Sequence, residues 1–497
     1  MLDNDKNAII IGSGLGGLAT ALRLSDLGFN VTILEKHNTP GGRLNILEKD
    51  GFKFDLGPSF MSMSYEFDEL FRSVGEQNPI RLIELDPLYQ VFFEEKEKPR
   101  LIWKDLQKLA KEFADIEKDL DKKAEAYLKR AGEFFHDTEN KVVKSNYNSK
   151  FSYLLGLSSI PKKHIPYLIK TIWSEVEKQF SSEEVRIIFS LVAFFLGATP
   201  FKTPAIYSLL NYTEMKHNGY WKVAGGMYKI IEELQKMLSN RNVNLFYNTE
   251  VVKVRSEDGK LVSVIDQHGK EWKADLFVSN SDAAAFRGKI LNRKDYAEKK
   301  LDKMHWTLAP FTIYLGVKGK IDGLIHHNYF LGSNFKGYAN EIFTSSISPQ
   351  KPYYYVNVLS KSEDDVAPAG HENLFILCPV PDLRFKQQWN DAEDLADNII
   401  SDLSKRVRFD IKKNTVTRTI FTPIDWESKL NLYKGSGLGL AHDINQVGAF
   451  RPKNKDEYFS NLYYVGASTT PGTGLPMVII SSKLVTERIK EDVRTLS

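Results

Sequence analysis

Little in this sequence points to a secreted, membrane-spanning or hydrolytic protein. Cysteine occurs once, at Cys378. An intrachain disulfide is therefore impossible, and a reducing compartment is the simplest setting. Within Leu374-Phe375-Ile376-Leu377-Cys378-Pro379 the thiol reads as a buried apolar side chain rather than a nucleophile. Residues 1–7 carry no basic region ahead of an apolar run, so no secretory signal is expected. The longest apolar run, Ile187 to Ala198, is interrupted by Ser190 and Gly197. A helix of that length reaches about 18 Å, against roughly 30 Å of hydrocarbon in a bilayer. An excess of one charge is missing too. Against 67 Lys plus Arg stand 64 Asp plus Glu, a net +3, which gives no electrostatic reason to bind nucleic acid. No Ser-His-Asp or paired-carboxylate pattern appears, and no catalytic base is assigned. The 10 histidines show no metal-ligand spacing, so no metal is expected. His326 and His327 are adjacent, and on a strand they would face opposite sides. There is no internal repeat, low-complexity segment or long linker.

What is present is the make-up of a globular chain. Hydrophobic residues are 42% and charged residues 26% of 497, enough for two to four units at roughly 100–200 residues each, or for two interleaved ones. Aromatics at 12% suit either an ordinary large core or a large apolar cavity. Leu106, Leu109, Phe113, Ile116, Leu120, Ala124 and Leu128 recur at helical steps, which predicts one amphipathic helix through the charged stretch 101–130. Residues 151–215 also read as mostly helical. Within them, Lys162, Lys163 and Lys170 alternate with Ile165, Tyr167, Leu168, Ile169, Ile172 and Trp173. That mixture suits a membrane-surface helix as well as one with an ordinary buried face. Short strands with turn signals return at 243–246, 251–254, 260–265 and 274–279, and again at 353–359, 374–377 and 462–465.

The strongest local signal lies near the start. Ala8-Ile9-Ile10-Ile11 has strand length and composition. Gly12-Ser13-Gly14-Leu15-Gly16-Gly17 follows, then a helical pattern that Gly28 ends, then a second strand, Val31 to Leu34. This is a β-α-β unit carrying G-x-G-x-x-G: a tight turn at Gly12, backbone approach to a pyrophosphate at Gly14, and close helix–strand packing at Gly17. The phosphates would sit at the helix N-terminus. Glu35 ends the second strand, where a carboxylate accepts both ribose hydroxyls and repels a 2′-phosphate. FAD or NAD fits and NADP does not. Pro40-Gly41-Gly42-Arg43 and, near the far end, Val465-Gly466-Ala467 leading into Gly472-Thr473-Gly474-Leu475-Pro476 favour FAD. Arg43 suits a phosphate or a flavin carbonyl, and a helix start after Gly474 suits the flavin edge where charge builds up on reduction.

These motifs, with Asp55-Leu56-Gly57-Pro58-Ser59, Gly219 to Met227, Ala274-Asp275 before Asn280, Tyr314 to Val317, His326-His327 and Ala367 to Pro381, together resemble the phytoene-desaturase-type carotenoid oxidoreductases. That family lies within the flavin amine-oxidase-like superfamily, and the resemblance spans essentially the whole chain. It implies an α/β, Rossmann-like FAD-binding domain interleaved with an α+β substrate domain that encloses a tunnel for a polyene. The expected division is 1–85, 222–285 and 430–497 for FAD, and 86–221 and 286–429 for the carotenoid. On the matching positions it assigns cofactor contacts to Gly12, Ser13, Gly14, Leu15, Gly16, Gly17, Glu35, Lys36, Gly42, Arg43, Gly57, Pro58, Ser59, Val251, Gly466, Ala467, Gly474, Leu475 and Pro476.

The activity it implies is C=C formation at an acyclic carotenoid end. On overall similarity, the branch resembled most is that of bacterial 1-hydroxycarotenoid 3,4-desaturases. Diapocarotenoid or phytoene-type desaturation, terminal-methyl oxygenation, carotenoid isomerisation, saturation and a non-enzymatic lipid carrier of the same fold stay open as alternatives. Such a carrier needs neither Glu35 nor Gly41-Gly42-Arg43. The expected setting is cytoplasmic and peripheral, on the inner face of the cell membrane, with oxygen or a quinone as electron acceptor. Hydride abstraction next to a polyene leaves a delocalised cation, so catalysis is mainly positioning and exclusion of water.

Overall fold

A computed structural model describes residues 6–147 and 149–496. The first five residues, on which part of the signal-peptide reading falls, lie outside them. The expected β-α-β unit forms at the start of the chain. Strand Asn7–Ile11 leads into helix Leu15–Asp26 and then into strand Asn30–Leu34. Five parallel strands make one sheet, in the order Leu462–Tyr464, Leu276–Ser279, Asn7–Ile11, Asn30–Leu34, Asn244–Phe246. Ile9, Ile10, Ile33, Phe277 and Val278 are buried, as the uninterrupted apolar runs of a sheet covered on both faces require. Helices Leu15–Asp26, Lys229–Asn240 and Leu475–Leu496 pack together over one face. An antiparallel sheet of Val251–Glu257, Lys260–Asp266 and Glu271–Lys273 is inserted between two strands of the parallel sheet.

The middle of the chain builds a mixed seven-stranded sheet. Its order is Thr415–Phe421, Ala309–Lys318, His371–Val380, Tyr354–Asn357, His327–Leu331, Tyr89–Phe93, Arg100–Ile102. Helix Ala392–Val407 packs against it through Leu395, Ile399, Ile400 and Leu403. Cys378 is fully buried in this sheet and burial pushes its thiol up to about 12, so it packs as an inert apolar group.

Two helical expectations fail. The single helix over 101–130 is in fact strand Arg100–Ile102, helix Leu106–Glu112 and helix Leu120–Thr138. The break has a cause. Glu117 is buried, pairs with Lys123 and accepts the backbone N–H groups of Ser181 and Ser182 at 2.8 and 2.6 Å, and Asp119 turns left-handed. A continuous helix would pull Glu117 away from these donors. The stretch 160–173 is likewise cut, into a short turn at Lys162–His164, helix Ile165–Ile169 and an extended Lys170. Pro166 starts that helix, and the Ala205 N–H bonds to the Lys170 carbonyl. His327 opens a strand, whereas His326 precedes it. Their rings meet edge-on with centroids 4.3 Å apart, so they do not face cleanly opposite sides. Among the described residues, no helix is long and apolar enough to cross a membrane, and no cluster of three His, Cys, Asp or Glu could hold a metal ion.

Candidate active site

A continuous cavity of about 690 Å³ runs from the glycine loop of the parallel sheet into the aromatic interior behind the seven-stranded sheet. All residues expected at the cofactor line it except Ser13 and Gly17. Those two act from just behind the wall. The Ser13 N–H and hydroxyl donate to Glu35 Oε2 at 2.8 and 2.6 Å. A Cβ on Gly17 would fall on the carbonyl oxygen of Gly12, so the helix could not lie against the strand.

The glycines of this loop answer to Asn280, which the sequence placed among the matching motifs without giving it a role. A Cβ on Gly14 would sit 2.6 Å from Asn280 Oδ1, one on Gly16 2.8 Å from Asn280 Nδ2, and one on Gly466 2.6 Å from the same nitrogen. Asn280 follows strand Leu276–Ser279 at its C-terminal edge and donates to the Val465 carbonyl at 3.1 Å. It pins the two glycine loops together. Its position after a strand of the parallel sheet, where α/β folds place their sites, is the signal that could have found it.

Glu35 is buried in the cavity wall. Besides the Ser13 bonds on Oε2, its Oε1 accepts the His37 N–H at 2.9 Å. Oε1 thus keeps acceptor capacity for a ligand hydroxyl. The carboxylate is not directed at bulk solvent; it also holds its own loop together. Gly41 donates to the Ser13 carbonyl at 2.9 Å, laying the Gly41-Gly42 turn against the first loop. Helix Leu15–Asp26 has no side-chain cap, so its first N–H groups stay available for an anion. Arg43 donates to the Gly437 carbonyl at 3.2 Å and faces Asp282, whose carboxyl is pushed up by burial and pulled back by that guanidinium. Gly474 takes a positive φ of 111°, and a Cβ there would meet only Met477 Cγ at 3.8 Å; the backbone conformation, not crowding, calls for glycine. The preceding Thr473 N–H donates to His442 Nε2 at 3.1 Å. This acceptor role puts the proton of the buried, neutral His442 on Nδ1, its pKa being lowered by burial and then by Arg451.

Toward the other end, the Ser59 and Tyr355 hydroxyls are 2.8 Å apart, and Tyr355 Oη lies 2.6 Å from His327 Nδ1. Phe60, Phe195, Tyr220, Tyr329, Phe335 and Tyr338 line the remaining wall. Glu214 is buried among them. A buried carboxylate with a free acceptor position, an uncapped helix start and paired glycine loops beside an arginine all fit FAD, and Glu35, Gly14, Gly42 and Arg43 are the residues that would hold it.

The fold and the site define a dinucleotide-binding flavoprotein oxidoreductase. The family model for flavin-containing amine oxidoreductases matches residues 15–490. The zeta-carotene-forming phytoene desaturase of Myxococcus xanthus is 32% identical over 495 residues, covering 97% of this chain and 94% of that protein. The carotenoid 3,4-desaturase of Haloarcula japonica is 30% identical over 495 residues, covering 98% and 99%. An oxidoreductase structure from Methanosarcina mazei superposes with a TM-score of 0.62 at 18% identity, over 97% of this chain and all of that one, and supports the fold. The chain belongs to the flavin-containing amine oxidoreductase family, in its phytoene-desaturase-type branch. It is an oxidoreductase acting on CH–CH groups, and FAD is its cofactor.

Proposed function

We propose that this protein forms a C=C bond at an acyclic carotenoid end, by 3,4-desaturation of a 1-hydroxycarotenoid. The observation that carries this reading is the continuity of the cavity: a glycine-lined, hydrogen-bonding half opens directly into an aromatic half. Carotenoid desaturation itself is the activity of its relatives across the full length of the chain. FAD, when bound, supplies the hydride acceptor. The chain supplies placement. Glu35 and the helix at Leu15 would anchor the adenosine and pyrophosphate, Arg43 and the 472–476 loop would border the ring, and the aromatic walls would hold the polyene and exclude water. The other residues given cofactor contacts from the sequence keep that role in this proposal. So does the domain division 1–85, 222–285 and 430–497 against 86–221 and 286–429, which follows the membership of the two large sheets.

The setting we propose is cytoplasmic, on the inner face of the membrane, with oxygen or a quinone accepting the electrons. Lys163 and Lys170 pair with Glu133 and Glu175, which blunts the basic patch. Phe151, Leu154 and Leu155 on helix Lys150–Ser158, together with Ile165 and Ile169, are instead exposed, Ile169 at 81%. Such a cluster suits shallow insertion between lipids. The deciding experiment is expression in cells that make several acyclic carotenoids, hydroxylated and not, followed by pigment analysis. A product with one more conjugated double bond beside the hydroxyl is expected. An oxygenated, isomerised or saturated product, or none, overturns the reading.

A further inference from the structure

An apolar tunnel for a hydrocarbon has no use for a buried carboxyl, yet this one has Glu214. The residue lines the cavity and is 5% exposed. Burial raises its carboxyl to about 8, so it is mostly neutral and can donate a hydrogen bond near neutral pH. Tyr220 is its hydrogen-bonding neighbour. Tyr220 and Tyr329 line the same cavity as Glu214, and the ring of Tyr89 meets that of Tyr329 edge-on with centroids 5.3 Å apart. The Tyr329 hydroxyl is buried without any partner among the described residues. An unpaired buried hydroxyl is a standing cost that phenylalanine would avoid. A ligand oxygen would satisfy it.

The place of this group narrows its role. Phe60 packs against Tyr220 at 4.8 Å and Tyr329 at 6.2 Å between ring centroids, and Tyr329 packs on Tyr355 at 5.2 Å. Phe60 directly follows Gly57-Pro58-Ser59, and Tyr355 bonds Ser59. The polar group therefore sits close to where the glycine-lined half meets the tunnel, not at a remote mouth.

We infer that Glu214, Tyr220 and Tyr329 form a subsite for the oxygen of a hydroxylated polyene end, holding that end close to the bond to be oxidised. The inference rests on the desaturase reading above and adds residues to it. Neutral Glu214 would donate to the ligand hydroxyl while the phenol of Tyr329 accepts or donates in turn. A site built to pair a hydroxyl penalises the ligand that lacks it, because its own polar groups are then stranded.

The test is binding and turnover of a 1-hydroxylated acyclic polyene and its unhydroxylated parent, on FAD-loaded protein. Tyr329→Phe is the decisive variant, since it removes an oxygen that no group among the described residues uses; its melting temperature should not fall. Glu214→Leu and Glu214→Gln accompany it. Binding is read from the polyene absorption shift under anaerobic conditions, and turnover as kcat/KM. Wild type should favour the hydroxylated polyene, and Tyr329→Phe and Glu214→Leu should each cut that preference roughly 10-fold, with Glu214→Gln between them and wild type. Wild type without any preference would remove the substrate reading and this subsite together. Wild-type preference retained in full by Tyr329→Phe and Glu214→Leu overturns the subsite alone. So does an equal loss of kcat on both polyenes in Glu214→Gln with binding unchanged, which would make Glu214 an acid–base group instead.

Discussion

At the Gly12–Gly17 end the cavity wall is mostly backbone; at the Phe60–Tyr355 end it is mostly side chain. The first wall is held by bonds within the opening β-α-β unit and the turn after it, such as Ser13 to Glu35 and Gly41 to Ser13, and is clasped by Asn280. The second is assembled from segments that lie far apart in sequence: Phe60, Glu214, Tyr329 and Tyr355. A backbone wall serves any ligand with phosphates and a ribose, whereas a side-chain wall is cut for one kind of molecule. The difference teaches where substitutions will be general and where they will be selective. In the first half they should weaken the cofactor whatever the substrate, and in the second they should change which substrate is accepted.

The sharpest way to break this contrast is at Gly474, in the cavity-lining loop proposed to border the flavin ring. Gly474→Val forces a branched side chain into a φ of 111°. We expect the anaerobic rate of flavin bleaching after carotenoid addition to fall about 100-fold, with a stability loss of about 1–3 kcal/mol from the strained backbone. Normal bleaching in a protein that still holds FAD would remove this loop from the reaction site.

Next in size is the outer face of the tunnel half. Replacing Phe151 and Ile169 with Glu should weaken flotation with lipid vesicles by at least about 10-fold, one buried apolar side chain being worth roughly 1.5–3 kcal/mol. Because both side chains are exposed, the melting temperature should hold. Equal flotation of variant and parent would show that this face does not meet lipid.

Glu35→Gln probes the backbone half. Exchanging a charged acceptor for a neutral one should loosen FAD by roughly 10-fold, read as the dissociation constant of the reconstituted apoprotein. Glu35→Ala should also cost stability, because the Ser13 and His37 N–H groups lose their acceptor. FAD affinity unchanged in both variants would sever Glu35 from the ribose.

The smallest effect is on pH, and it touches both halves. Burial raises Asp55 to about 7 and Glu214 to about 8. In the unfolded chain such groups titrate near 4, so the fold favours their neutral forms. The stability they contribute is complete below about pH 4 and is lost as pH rises through about 7 and 8. Asp55→Asn keeps an acceptor for the Met227 N–H, bound at 2.9 Å, but removes the titration. Its melting temperature should decline by a few degrees less than that of wild type between about pH 5 and pH 8. Parallel curves would show that Asp55 stays charged in the fold.

How far the sequence could be read followed the same divide. The β-α-β start, Glu35 and both glycine loops were legible because each motif needs only a few consecutive residues to state its geometry. The helix over 101–130 was misread because its periodicity is real but local. Glu117, caught by the N–H groups of Ser181 and Ser182, decided the break. The stretch 160–173 was read as a mixture of lysines with apolar and aromatic residues, and exposure singled out Ile165 and Ile169 within it and Phe151, Leu154 and Leu155 beside it.

By itself, then, the sequence determined the opening of the cofactor half: Gly12, Gly14, Gly17 and Glu35 lie within one β-α-β unit, where they fix a turn, a helix start and a carboxylate. Only the tertiary structure decided that Asn280 clasps the two glycine loops, and that Glu214 and the Tyr329 hydroxyl, unpaired among the described residues, are buried in the wall of one cavity. The physical reason is range: a turn is written in adjacent residues, but burial, and the polar partners it removes, depend on what the rest of the chain brings to the same place.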